Sequence, residues 1–293
     1  MNVETRRLCF EGTAVRFKIY TPENNAVLSR AVFCCSTLGD CESWDGFCSQ
    51  LCESGTLCVT FEMPGFGHTP LNAPQDNKTR AGILWGVLDE VEEERGEAPH
   101  PWHLVGHGSG CAVVLTMAAQ HPKSTRSRVL ISPTVPRLEN GLVRMCVCGK
   151  VGRFILSRVF RTYYHDRARF EEKLRVVYSP DVPPEIVDRY YREFHRKGRF
   201  ETMMEALKYG YRVSKKAWKL QGPLLVLAGG KDCFGKKLPG SIDRKVVDRE
   251  FHCFKDGGHM IIEEQPSVMH DYVQGWFDDC DGRRKGPVHA GSK

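Results

Sequence analysis

Apolar positions along this chain fall into two alternating kinds of run. Short blocks at residues 15–20, 31–35, 57–61, 102–105, 129–131, 224–227 and 251–254 have the length of strands. Several are continuously apolar, as expected where both faces of a strand are covered. Longer stretches with helical spacing lie between them, notably 79–94, 110–120 and 267–277. His121-Pro122 closes the second of these, because proline cannot continue a helix. This alternation predicts an α/β fold, a mostly parallel central sheet flanked by helices.

The rhythm breaks after Ser132-Pro133 and resumes at Gly222-Pro223. The intervening residues contain no strand-like run; they are helical in pattern, aromatic, and interrupted by a proline-rich turn at 179–184. A helical block set between two strands of a parallel sheet reads as a lid over the strands' carboxyl ends, where open α/β sheets bind ligands. The expected organisation is therefore a core domain from 1–136 and 221–280, a helical cap at 137–220, and a loose polar tail at 281–293.

Charge sharpens that division. The chain of 293 residues carries a net charge of +6, yet residues 137–219 alone hold 20 Lys and Arg against 10 Asp and Glu. The cap is basic and the remainder slightly acidic. Much of this is expected to be a solvated helical face, but it also favours an anionic small-molecule substrate and weak contact with an anionic membrane surface. No recognised nucleic-acid-binding motif appears, so nucleic acid is not expected as a partner.

Composition excludes other classes. A chain with 41% hydrophobic and 27% charged residues can bury a core and is not disordered throughout. Its longest apolar stretch, 111–119, is interrupted by Thr116 and is far short of the roughly 20 residues that span a bilayer. The start of the chain lacks the apolar core of a secretion signal. Thirteen cysteines, seven of them before residue 60, then read as reduced thiols in a cytoplasmic setting. There is no Cys-x-x-Cys pair, and Cys146-x-Cys148 is too close-set for an ordinary zinc site. Small core residues is the reading that remains.

Three stretches carry candidate chemistry. Gly106-His107-Gly108-Ser109-Gly110 lies at a strand-to-helix junction, where glycines permit a sharp turn and close approach of helix to strand. Asp232 follows the strand after the cap, in Gly229-Gly230-Lys231-Asp232. His259 follows the last strand, in Asp256-Gly257-Gly258-His259, 27 residues beyond Asp232. An imidazole held by a carboxylate is the working pair of many hydrolytic sites.

In this order the motifs resemble those of the α/β-hydrolase superfamily. The resemblance runs from about Arg6 to Asp279. It takes in Glu62-Met63-Pro64-Gly65-Phe66-Gly67-His68, similar to the family's D-x-P-G-x-G turn, and Cys35-Ser36 with Trp44, where the family usually has His-Gly and then an aromatic residue. The stretch from Val182 to Tyr190 looks like the cap of the lidded members. The resemblance implies a helical cap inserted between the sixth and seventh strands, Asp232 as acid and His259 as base, and main-chain oxyanion donors at Thr37 and Ser109. It also implies hydrolysis of an ester, amide or C–C bond in a small apolar or anionic substrate, without a cofactor or metal.

The elbow departs from the family pattern. Its nucleophile seat, third in G-x-Nu-x-G, holds Gly108, and the serine stands one place later. Ser109 is the candidate nucleophile if the turn is rebuilt; otherwise its hydroxyl is expected to cap the first turn of the following helix. His107 is expected to be a packed core histidine, and His68 and His103 structural groups. Cys111 is expected to pack beneath the sheet rather than to be activated by the helix N-terminus. Glycine in the nucleophile seat also resembles the N-myc downstream-regulated proteins. That resemblance implies the alternative of a pseudo-hydrolase that binds a ligand or regulates a partner.

Overall fold

A computed structural model describes residues 1–23, 27–37, 39–71, 76–96, 99–134, 149–178, 182–209, 213–218, 220–234 and 249–283. An eight-stranded sheet runs through the middle: β1 (Asn2–Phe10), β2 (Thr13–Thr21), β3 (Ser29–Cys34), β4 (Thr56–Phe61), β5 (Trp102–His107), β6 (Thr125–Ile131), β7 (Leu224–Gly229) and β8 (Arg249–Phe254). Their spatial order is β1-β2-β4-β3-β5-β6-β7-β8. Pairings from β4 across to β8 are all parallel, and β1 and β2 are antiparallel additions at one edge. This is the α/β-hydrolase fold that the motifs imply.

All seven expected strands are present, and β1 is an eighth that the pattern does not announce. It is an edge strand with mostly exposed residues, so no buried face imposes alternation on its sequence. Its hairpin partner is set by Glu11-Gly12, where both central residues have positive φ, 48° and 77°. Such a turn matches the twist of the strands that it joins.

Helices cover both faces. On one side α1 (Asp45–Glu53) buries Phe47, Cys48, Leu51 and Cys52. On the other, α2 (Asn77–Glu94) starts where the Asp76 carboxylate accepts the N–H groups of Lys78 and Thr79 at 3.0 Å. It packs with α3 (Gly110–Gln120) over the alternate residues of β3, β4 and β5. Between β6 and β7 the described residues form α4 (Lys150–Tyr164), α5 (Arg167–Arg175), α6 (Pro184–Phe194), α7 (Arg199–Tyr209) and α8 (Lys215–Trp218). They gather around a small apolar cluster of their own, which includes Phe170, Tyr178, Val187, Tyr190 and Phe194. The chain closes with α9 (Ile261–Glu264) and α10 (Pro266–Cys280), the latter beside α1.

Seven of the cysteines, at 34, 35, 41, 48, 52, 58 and 111, are buried and unbridged, consistent with small apolar residues in a packed core. Burial raises the Cys111 thiol pKa, overriding any pull from the start of α3. Cys146 and Cys148 lie outside the described residues.

The tail differs from expectation at its start. Asp281 accepts hydrogen bonds from Ser29 Oγ at 2.6 Å and from Arg126 Nε at 2.8 Å, and Arg283 reaches the Leu28 carbonyl. Burial alone would raise the Asp281 carboxyl, but bonds from His103 and Ser29 hold it well below the usual range. These partners lie more than 150 positions away, beyond the reach of a composition argument.

Candidate active site

The site is built where β3, β5, β7 and β8 end on one side of the sheet. After β5 the chain turns at Gly108, with φ +54°, and enters α3 at once. A Cβ on Gly110 would lie 2.3 Å from the Cys34 carbonyl oxygen, so only glycine lets α3 approach β3 this closely. The Gly108 N–H donates to the Ile131 carbonyl at 2.9 Å, which ties the turn to the end of β6.

Asp232 stands three residues beyond β7 and His259 five beyond β8. The structure brings them together: His259 Nδ1 donates to Asp232 Oδ2 at 2.9 Å, and both side chains are almost wholly buried. The Phe234 N–H holds the other carboxylate oxygen at 2.7 Å. His259 is fixed at the main chain as well, its N–H donating to the Val177 carbonyl beyond α5 at 2.8 Å. Its carbonyl accepts from His107 Nε2, also at 2.8 Å.

That last bond assigns the His107 tautomer, since a carbonyl can only accept. Burial, with the neighbouring His259, pushes the His107 imidazole down to about 3. The ring is thus a neutral strut beneath the base. Below the ordinary imidazole pKa the unfolded chain binds a proton that the folded chain refuses. Stability from this group is therefore full above about pH 6.5 and is lost as pH falls toward 3. His107→Gln keeps a donor for the His259 carbonyl without a titrating ring. Denaturant unfolding of this variant between pH 7 and 4 should show a flatter fall in stability than the parent, though buried His103, also lowered, retains part of the slope.

Gly108 occupies the seat from which a nucleophile would face this pair. A Cβ built there lies 3.2 Å from His259 Nε2. Ser109 does not turn toward it. Its hydroxyl accepts the Thr37 N–H at 2.7 Å and lies 2.8 Å from Thr37 Oγ1. The expectation of a helix cap is corrected here. Ser109 has helical φ and ψ of −68° and −23°, whereas a capping side chain needs an extended backbone to reach the N–H groups ahead of it. The same bond engages the Thr37 N–H, one of the two expected oxyanion donors.

Tyr178, α6 and the start of α7 reach the core domain through polar groups. Glu263, in α9, accepts from Tyr178 Oη at 2.9 Å, Tyr190 Oη at 2.6 Å and Arg189 Nη2 at 2.5 Å. Burial pushes its carboxyl up, against the pull of Arg189. Arg196 donates to the Gly67 carbonyl at 2.5 Å, and Arg199 to the Gly65 carbonyl and the Glu193 carboxylate. Three arginines expected on a solvated face thus have partners within the fold: Arg199 is buried, Arg189 half-buried, and Arg196 partly exposed. His68 joins the same turn, close to Glu62 and Arg196. His103 stacks on Phe277 and bonds Ser127 and Asp281.

A model of the alpha/beta hydrolase family matches residues 32–271, most of the chain. The chain belongs to the alpha/beta hydrolase family. Among curated proteins it is similar to the pimeloyl-[acyl-carrier protein] methyl ester esterase of Neisseria meningitidis serogroup A, with 24% identity over 76% of this chain and 70% of that protein. The serogroup B esterase is 26% identical over 73% of this chain and 81% of its own length. Two solved structures share the fold. A haloalkane dehalogenase from Bradyrhizobium elkani has a TM-score of 0.73 at 15% identity, covering 97% of this chain and all of that one. The Cif epoxide hydrolase from Acinetobacter nosocomialis has a TM-score of 0.75 at 13% identity, covering 94% and 88%.

In this family member two features of the site escape sequence reasoning. The Glu263 cluster joins residues more than 70 positions apart, with no local motif. Ser36 is the other: its hydroxyl lies against Gly108, and the replacement of the usual His-Gly by Cys35-Ser36 is the signal that points to it.

Proposed function

We propose that this hydrolase-family chain is an esterase acting on a small apolar or anionic acyl ester, with His259 as general base and acid and Asp232 as the group that orients it. The observation that carries this reading is the buried Asp232–His259 hydrogen bond at 2.9 Å, with Nε2 facing the elbow. A base so held can take a proton from a hydroxyl or a water and return it to a leaving alkoxide. Similarity to the meningococcal methyl ester esterases favours an ester over an amide or C–C bond. Residues 137–220 act in this reading as one basic cap over the site, and their charge draws an anionic acyl group. Seven buried, unbridged cysteines suit a cytoplasmic setting. No helix among the described residues is long and apolar enough to cross a membrane.

The pseudo-hydrolase alternative rests on Gly108 alone and has no support from the rest of the site, which keeps its acid–base pair. Steady-state assays with short p-nitrophenyl esters, methyl hemiesters of dicarboxylic acids and p-nitroanilides should show turnover of the esters and little of the anilides. His259→Ala should lower ester kcat by about 10²–10⁴-fold. Folded protein with no turnover of any ester would return the pseudo-hydrolase to first place.

A further inference from the structure

We infer that Ser36 supplies the nucleophilic hydroxyl that the elbow lacks. A Cβ placed on Gly108 would lie 2.5 Å from Ser36 Oγ and 3.1 Å from Ser36 Cβ. The space that a side chain at 108 would occupy is already filled by a hydroxymethyl group from the loop after β3. The same point lies 3.2 Å from His259 Nε2. Ser36 Oγ and His259 Nε2 therefore border one and the same spot, and neither atom makes a hydrogen bond to another described residue. The other two hydroxyls nearby, Ser109 and Thr37, are bonded to each other. Ser36 is half-buried, open enough to meet a ligand.

The two departures from the family pattern compensate one another. Gly108 leaves the nucleophile seat without a side chain, and Ser36, where the family usually has glycine, puts a hydroxyl into the same space. A side chain at 108 and a serine at 36 compete for the same volume, so each replacement makes room for the other.

The chemistry closes without any added reagent. Ser36 Oγ attacks the ester carbonyl carbon as its proton passes to His259 Nε2. The tetrahedral adduct collapses, the C–O bond to the alcohol breaks, and the departing alkoxide takes that proton. Water then attacks the acyl-Ser36 carbonyl, gives a proton to His259, and the Ser36–acyl bond breaks as Ser36 Oγ regains it, releasing the carboxylic acid. Hydrogen bonds of this kind are often long in a ligand-free site and tighten when substrate binds.

This inference rests on the esterase reading, and its test separates the two. The whole protein is treated with a fluorophosphonate and digested with trypsin. Ser36 lies in the fragment 31–78 and Ser109 in 96–123, so fragment mass and sequencing locate the adduct. The adduct is expected on Ser36, and Ser36→Ala should abolish labelling and lower ester turnover about 10³-fold with an unchanged circular dichroism spectrum. Should Ser36→Ala fold poorly, the double variant Gly108→Ser with Ser36→Gly gives a second reading. It should label at position 108 and hydrolyse esters, while Gly108→Ser alone, crowded by Ser36, should be at least tenfold slower than the double variant. An adduct on Ser109 overturns the inference. So does turnover in Ser36→Ala that remains near the parent's and still requires His259, although the esterase reading then stands with water as nucleophile. Absence of both label and turnover in the parent overturns both.

Discussion

Asp232→Asn should lower ester kcat by about 10⁴-fold while leaving the protein folded. The reason lies in which oxygen faces which donor. Asp232 Oδ1 accepts the Phe234 N–H at 2.7 Å, and Oδ2 accepts from His259 Nδ1 at 2.9 Å. An asparagine must put its oxygen toward the fixed Phe234 N–H, which leaves its NH₂ facing His259 Nδ1. Two donors cannot meet there, so the imidazole moves its proton to Nε2. A protonated Nε2 cannot accept the proton of an attacking hydroxyl. Every hydrogen bond is kept and the base is turned off, so the loss should fall on kcat rather than on KM or the melting temperature. A fall in kcat of less than tenfold would show that Asp232 only tethers two loops.

Glu62→Ala should have the largest effect on stability, about 3–5 kcal/mol, because it strips one of two carboxylate partners from the largely buried Arg16 and leaves the His68 N–H without its acceptor. Glu62 is completely buried. Its carboxylate accepts from Arg16 Nη1 at 2.5 Å and from the His68 N–H at 2.6 Å, while Arg16 also pairs with Glu42 at 2.6 Å. The Glu42 bond and the other carboxylate raise the Arg16 pKa further above its ordinary value, although burial opposes them, so the guanidinium stays charged when Glu62 is lost. At roughly 2–4 °C per kcal/mol for a large domain, the melting temperature should drop by about 10 °C. The companion change Arg16→Met with Glu62→Leu should recover much of the loss, because it removes the guanidinium together with the buried carboxylate that balanced it. A Glu62→Ala melting temperature within 2 °C of the parent would mean that Glu42 alone balances Arg16.

The layout of the sheet was legible because continuous apolar runs and helical spacing alternate from residue 15 onward. β1 was not, since an exposed edge strand leaves little imprint on polarity. At the site, Gly108, Gly110, Asp232 and His259 could be placed because a sharp turn and two glycine-rich loops each demand particular residues at particular spacings. Ser109 differs for the opposite reason. Local sequence offers its hydroxyl a partner in the next turn of helix, but the partner is Thr37, 72 positions earlier. The cap arginines show the same limit: Arg189, Arg196 and Arg199 look like surface charge until the fold supplies Glu263 and the carbonyls of Gly65 and Gly67. Contacts between distant segments are decided by the sheet order, which charge counts do not contain.

The bond from the His259 N–H to the Val177 carbonyl has a consequence for alignment. Val177 follows α5 in the helical segment between β6 and β7, so any shift of that segment away from the sheet would break a main-chain tie to the imidazole's own residue. The base is thereby anchored from two directions, by a carboxylate at the end of β7 and by a carbonyl of the helical segment, so its orientation depends on how these two parts of the chain are seated together.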